Sequence, residues 1–230
     1  MSPRRPRRGG RGSGGGRRSA AARPKRRGGG RPQDHFGDLA KQQGYPARAV
    51  FKLEEIDRRL KLLRRGQRVL DLGAAPGSWC LYASKQVGDE GSVLGVDLKE
   101  ITIAPPANVR FEQRDLGESE NISGIGQFDV VLSDMAPSTS GMRHRDQYLS
   151  YELYCMALSV CDQTLAPGGS FVGKIFQGAE FPDARKATAE RFEKVRIFKP
   201  EASRDESYEV FLVGLGKRAP APRDPTPLQG

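Results

Sequence analysis

VLDLGAAPGSW, residues 69–79, is the stretch on which the reading of this chain turns. An apolar run carrying one acid, Asp71, passes into a loop with almost no side chains (Gly73 to Gly77) and then into the only tryptophan, Trp79. The run has the length and composition of a buried strand, and Ser78–Gln86 reads as a helix. A glycine-rich loop between a first strand and its helix lets a ligand approach the backbone closely.

Outward from that loop the pattern alternates. Ala47–Leu63 places Val50, Leu53, Ile56, Leu60 and Leu63 on one helical stripe. Strands are expected at Arg68–Leu72, Ser92–Leu98, Val109–Glu112, Phe128–Ser133, Ser170–Phe176, Lys194–Phe198 and Tyr208–Leu215. Helices are expected at Asp146–Leu165, stopped by APGG, and at Asp183–Phe192. The alternation predicts an α/β fold with a mostly parallel seven-stranded sheet and helices on both faces. Between the last two strands, Lys199–Ser207 is too short for a parallel crossover. The final strand is therefore expected to run antiparallel, bringing Glu209 to the rim formed by the carboxyl ends of the other strands, where open α/β sheets bind ligands.

Charge divides the chain. Of its 38 Lys and Arg, 12 fall in residues 1–31, which hold no acid; the remainder has 26 basic against 28 acidic residues. The segment MSPRRPRRGGRGSGGGRRSAAARPKRRGGGR is Arg/Gly-rich and poor in apolar side chains, so it is expected to be disordered. Its arginines suit RNA, by phosphate pairing and base stacking, although a merely solubilising extension would look the same. The expected organisation is a basic tail over 1–31, one domain over 32–218 and a Pro-rich tail over 219–230. Cys80, Cys155 and Cys161 lack pairing count or CxxC spacing and read as reduced thiols of a cytoplasmic protein. His35 and His144 lie in separate polar stretches, which argues against structural zinc. There is no apolar run long enough to span a membrane, and the basic N-terminal segment, with no apolar h-region behind it, is not expected to act as a secretory signal.

Asp97 ends the second strand, where a carboxylate accepts hydrogen bonds from ribose hydroxyls. An NAD site has that feature too. Two details favour S-adenosylmethionine. The loop is G-A-A-P-G, without the middle glycine of G-x-G-x-x-G, and Asp115, after the third strand, is suited to an adenine amine. On this reading Asp71 faces a zwitterionic ligand rather than a pyrophosphate. Asp134 ends the fourth strand in SDMAPSTSG; alone it is equally an Asx turn before proline. Lys174 lies inside the apolar strand GGSFVGKIFQG, and lysine is rarely buried without a partner. If the fourth and fifth strands are neighbours, Asp134 and Lys174 meet over one rim. Glu209 at a strand start and Lys52 beside a helical stripe are, taken singly, ordinary surface charges.

With these residues in view, the chain resembles the FtsJ/RrmJ (RlmE) family of ribosomal-RNA 2′-O-ribose methyltransferases, from about Asp34 to Arg218. The resemblance rests on ARAVFKLEEID, VLDLGAAPGSW, SDMAPSTSG, VGKIFQG and SRDESYEVFLVG, in that order. It implies a Rossmann-like S-adenosylmethionine-dependent methyltransferase fold and a catalytic tetrad at Lys52, Asp134, Lys174 and Glu209. It also implies cofactor contacts at Gly77, Trp79, Asp97, Asp115 and Asp134, and no metal. The loop has Gly-Ser-Trp where the family often has Gly-Gly-Trp, and Glu206 is a rival to Glu209 for the last tetrad position.

The implied substrate is a uridine ribose of large-subunit ribosomal RNA; the Arg/Gly tail is not expected of the family core, and its composition makes it an expected auxiliary RNA contact of a monomer. Lysine becomes a base only when burial or a second cation lowers its pKa, which Lys174 in an apolar strand with Lys52 nearby satisfies. The same chemistry on transfer RNA, a non-catalytic RNA-binding protein on this fold and, more distantly, an NAD dehydrogenase stay open.

Overall fold

The computed structural model describes residues 35–117, 122, 124–203 and 207–219. The Arg/Gly segment 1–31, nearly all of 219–230 and the rival acid Glu206 lie outside them. Twelve elements follow in order: α1 (His35–Gln42), α2 (Val50–Leu60), β1 (Arg68–Leu72), α3 (Ser78–Val87), β2 (Ser92–Asp97), β3 (Val109–Gln113), β4 (Phe128–Ser133), α4 (Arg143–Thr164), β5 (Leu165–Phe176), α5 (Phe181–Arg191), β6 (Phe192–Phe198) and β7 (Glu209–Lys217).

One seven-stranded sheet runs β3-β2-β1-β4-β5-β7-β6. The pairs β1–β2, β1–β4, β2–β3 and β4–β5 are parallel. β7 inserts between β5 and β6, antiparallel to both, as the short 199–207 connection requires.

Alternation along each strand divides the core in two. One face carries Val69, Val130, Leu132, Val172, Phe211 and Val213 and is covered by α1, α2 and α3. The other carries Leu70, Leu72, Val131, Phe171, Ile175 and Leu212 beneath α4 and α5. The predicted α2 stripe is real, since Val50, Leu53 and Ile56 are fully buried; each contributes roughly 1.5–3 kcal/mol by burial.

Boundaries depart from the sequence reading where side chains fold back on the backbone. α2 ends at Leu60 because Lys61 turns left-handed (φ 54°) while its N–H still bonds Asp57 O at 2.7 Å. α4 begins at Arg143 rather than Asp146, since Asp146 Oδ1 accepts the N–H and hydroxyl of Ser140, each at 2.8 Å, and holds the entry turn. APGG lies inside β5 rather than ending α4, next to a register irregularity in the β4–β5 ladder. α1 has only Ala40 buried, too little for periodicity to show.

Candidate active site

Strand parity assembles the site. Lys174 follows Val172 by two residues, Glu209 precedes Phe211 by two, and Asp134 follows Leu132 by two, so all three belong to the α2/α3 face. The β5–β7 ladder pairs Lys174 with Phe211 and Phe176 with Glu209. Lys174 and Glu209 are thus diagonal neighbours, at a separation of roughly 7–8 Å. Asp134 lies one residue beyond β4, next to the end of β5.

Two ion pairs result. Lys174 Nζ lies 2.9 Å from Asp134 Oδ1 and donates a hydrogen bond to the Asp134 main-chain oxygen; its side chain is 5% exposed. Lys52 Nζ lies 2.6 Å from Glu209 Oε1, with side chains 12% and 11% exposed. Ser203 Oγ donates to the same Glu209 oxygen at 3.0 Å. The Lys52 ammonium also lies 5.8 Å from the centre of the Phe211 ring. Ser203 and Phe211 are site residues that sequence reasoning missed. Phe211 had a signal, because an antiparallel β7 places it opposite Lys174; Ser203 had none beyond its proximity to the SRDESYEV motif.

A cavity of about 400 Å³ opens on this rim, lined among others by Gly73, Asp97, Asp115, Asp134 and Met135. Another, of about 430 Å³, lies by Leu62, Gly168 and Gly216, at the amino-terminal ends of the parallel strands, where such sheets do not place ligands. Asp97 Oδ2 accepts the Ala75 N–H at 2.9 Å and Oδ1 the Lys99 N–H at 2.8 Å. A carboxylate has about four acceptor sites, so further capacity remains for a ribose diol. Asp115 Oδ1 accepts the Gly117 N–H at 2.8 Å and sits exposed at the other side of the cavity. Gly73 (φ 75°) and Gly77 (φ 103°) shape the loop. A Cβ at Gly73 would come within 2.5 Å of Met135 Cγ, and one at Gly77 within 2.4 Å of Ile103 Cδ1.

These residues fit S-adenosylmethionine. Asp134 Oδ1 is buried and, among the described residues, no donor meets it at hydrogen-bonding angles despite the nearby ammonium. Three carboxylates, Asp97, Asp115 and Asp134, around one cavity suit a cationic sulfonium and an amine-bearing adenine, and repel a pyrophosphate.

Two expectations change. Asp71 does not face the ligand: it is buried, and its Oδ2 accepts the Cys80 S–H at 3.0 Å. Burial pushes its carboxyl up to about 7, the Cys80 bond opposing and the charges of Asp134 and Asp97 adding to the rise. Trp79 turns its indole away from the cavity. The ring is 3% exposed, tilts on Phe211 at 5.7 Å, and donates Nε1–H to Ala49 O at 2.8 Å. Only its main chain is left to face a ligand at the α3 amino terminus. The departure at Ser78 has a local use, since Ser78 Oγ accepts the Ala47 N–H at 2.9 Å and ties the loop to the entry of α2.

Known proteins match this arrangement. The FtsJ-like methyltransferase family matches residues 45–217. The "Ribosomal RNA large subunit methyltransferase E" of Sorangium cellulosum is 54% identical over 188 residues, covering 81% of this chain and 89% of that one. The protein of the same name from Nitratidesulfovibrio vulgaris is 51% identical over 191 residues, covering 81% and 94%. Among solved structures, a putative ribosomal RNA methyltransferase from Plasmodium falciparum superposes with a TM-score of 0.65 at 26% identity, covering 75% of this chain and 98% of that one. Among the described residues no helix is long and apolar enough to cross a membrane.

Proposed function

The chain belongs to the FtsJ-like methyltransferase family, and from that premise we propose that it transfers a methyl group from S-adenosylmethionine to the ribose 2′-hydroxyl of a uridine in large-subunit ribosomal RNA. The observation that carries this reading is the Lys174–Asp134 pair on the cavity rim, with Lys52–Glu209 on the same sheet face.

S-adenosylmethionine supplies, when bound, an electrophilic methyl group on a sulfonium. Asp97 would hold the cofactor ribose, Asp115 the adenine amine, and the Gly77–Trp79 main chain would close the loop side. Lys174 is the general base. Asp134 flanks Nζ with its carboxylate at 2.9 Å and with its main-chain oxygen, which accepts a hydrogen bond from it, and these two contacts hold Lys174 at the rim. There it takes the 2′-hydroxyl proton as the ribose oxygen–methyl bond forms and the sulfur–methyl bond breaks. Lys52, fixed by Glu209, orients the target nucleotide. Holding the ribose oxygen in line with the methyl group would supply much of the rate.

The domain is 32–218. The basic segment 1–31 is an auxiliary RNA contact, and the enzyme works as a cytoplasmic monomer.

The test is transfer of radiolabelled methyl to intact large subunits, free ribosomal RNA and transfer RNA, followed by nuclease mapping. Label in an alkali-resistant uridine dinucleotide of the large-subunit RNA is expected. Label in transfer RNA alone would move the substrate assignment; RNA binding without label would make the protein a binder.

A further inference from the structure

Immediately outside the four charged residues, where β5 ends and β7 begins, the structure gathers side chains that the reaction does not use. The Phe176 and Tyr208 rings meet edge-to-face, with centroids 4.9 Å apart and planes at 77°. Arg143 places its guanidinium carbon 5.2 Å from the Tyr208 ring centre. Both rings are half-buried and Arg143 is exposed. The cluster is bound to the tetrad by register. Tyr208 precedes Glu209, and Phe176 pairs with Glu209 and lies two residues beyond Lys174.

The cluster is also held rigidly. Gln177 N–H donates to Tyr208 O at 2.9 Å. Phe176 N–H donates to Ser150 Oγ at 3.0 Å, and the Gln147 amide donates to Gln177 O. These bonds fasten the first turns of α4 to the strand end, one turn from Arg143. Among the described residues no carboxylate pairs with Arg143. Met142 (57% exposed) and Tyr148 (50% exposed), two of the four large apolar residues most exposed on the described surface, lie on the same segment. Half-buried rings beside an exposed guanidinium that, among the described residues, no carboxylate pairs fit a single-stranded nucleic acid, whose bases stack on rings and on guanidinium planes.

Resting on the reading above that RNA is the substrate, we propose that Arg143, Tyr208 and Phe176 form a stacking platform for an unpaired base of the substrate RNA adjacent to the target ribose. Unpaired RNA is needed because a 2′-hydroxyl within a stacked helix cannot reach a recessed lysine, and a base held on this ledge fixes the backbone on one side of the reacting ribose. The residues position substrate and take no part in proton or methyl transfer.

The test compares the full-length wild type with Tyr208→Ala, Tyr208→Phe and Arg143→Ala, using large-subunit RNA as methyl acceptor at several salt concentrations. Loss of one base stack predicts a rise of at least about fivefold in KM for RNA in Tyr208→Ala. Tyr208→Phe should remain within about twofold, because stacking needs the ring and not the hydroxyl. Arg143→Ala, an exposed change that leaves the sheet untouched, should raise KM severalfold and lessen the salt slope by about one neutralised phosphate. All three should bind S-adenosylmethionine within about twofold of wild type. An active wild type with unchanged KM in Tyr208→Ala and Arg143→Ala overturns the platform alone. A wild type inactive on this RNA overturns the substrate reading, and the platform with it. Equal losses in RNA and cofactor affinity would make the cluster structural and also overturn the proposal.

Discussion

Lys52 and Glu209, towards the two ends of the folded chain, meet 2.6 Å apart on the rim at the carboxyl ends of the parallel strands. α2 brings one and β7 the other, so the pair exists only once the last strand has inserted between β5 and β6. Removing one partner leaves the other charge mostly desolvated. Glu209→Gln and Lys52→Met are each expected to cost on the order of 3 kcal/mol of stability and to lower kcat at least tenfold. The double variant should lose less than the sum of the two. Urea unfolding of the four proteins measures this, and strict additivity would show that the contact carries no coupling.

Lys174→Ala is expected to cut kcat by about a thousandfold, within the span of general-base contributions, and to change cofactor affinity by less than about threefold. Lys174→Arg should not restore the rate, because a guanidinium stays protonated and cannot take the 2′-hydroxyl proton. Single-turnover methyl transfer and isothermal titration separate the two quantities. A Lys174→Ala variant with wild-type single-turnover rates would transfer the base role elsewhere.

Asp71 gives the stability an unusual pH response. In the unfolded chain its carboxyl ionises at its ordinary value of 3.8, whereas burial raises it to about 7 in the fold. Between those values the folded state holds a proton that the unfolded state has lost. The contribution is therefore fully present below about pH 4 and is lost as pH rises through 7. At 1.36 kcal/mol per unit the loss is on the order of 4 kcal/mol. Asp71→Asn keeps an acceptor for the Cys80 S–H and removes the titration. Its unfolding free energy should be flat in this component from pH 5 to 8, with a gain over wild type that is largest at pH 8. Parallel curves for the two proteins would contradict the assignment.

Much of this site was legible from spacing. Lys174 in an apolar strand implied a partner, the nine-residue 199–207 connection implied an antiparallel β7, and together they put Glu209 on the right rim. Side-chain direction at the loop was not legible. Asp71 and Trp79 both sit in VLDLGAAPGSW, yet both point beneath α3, because residue 71 shares the parity of Val69 and the indole finds its acceptor at Ala49, thirty residues earlier. Ser203 was invisible for the same reason: its bond to Glu209 depends on how residues 199–203 lie against α2, where Glu55 Oε2 accepts the Glu201 N–H at 2.8 Å.

Residues outside the described part still shape an expected result. Residues 32–230 carry 26 basic against 28 acidic side chains, so long-range attraction to RNA is expected to fall to the twelve basic residues of 1–31. Deleting residues 1–30 should weaken RNA binding and reduce the slope of log affinity against log salt by roughly 0.7 for each phosphate that the segment neutralises. Cofactor affinity should be unchanged. Equal slopes with and without the segment would remove it from the RNA-binding surface.

Trp79 separates a cofactor residue from a scaffold residue. Its ring rests on Phe211, the ring beneath the Lys52 ammonium, and its N–H holds Ala49 at the start of α2. Trp79→Phe keeps an aromatic body in that space and deletes the hydrogen bond, leaving the part-buried Ala49 carbonyl with the Lys52 N–H as donor, at a cost of about 0.5–1.5 kcal/mol. The consequence travels along α2 to Lys52, not into the cavity. The expected outcome is a severalfold lower kcat and a lower unfolding midpoint, with S-adenosylmethionine affinity within about twofold of wild type. Titration of the cofactor against the variant decides it. A tenfold loss of affinity at unchanged kcat would place the indole itself against the cofactor and require the α3 amino terminus to rearrange on binding.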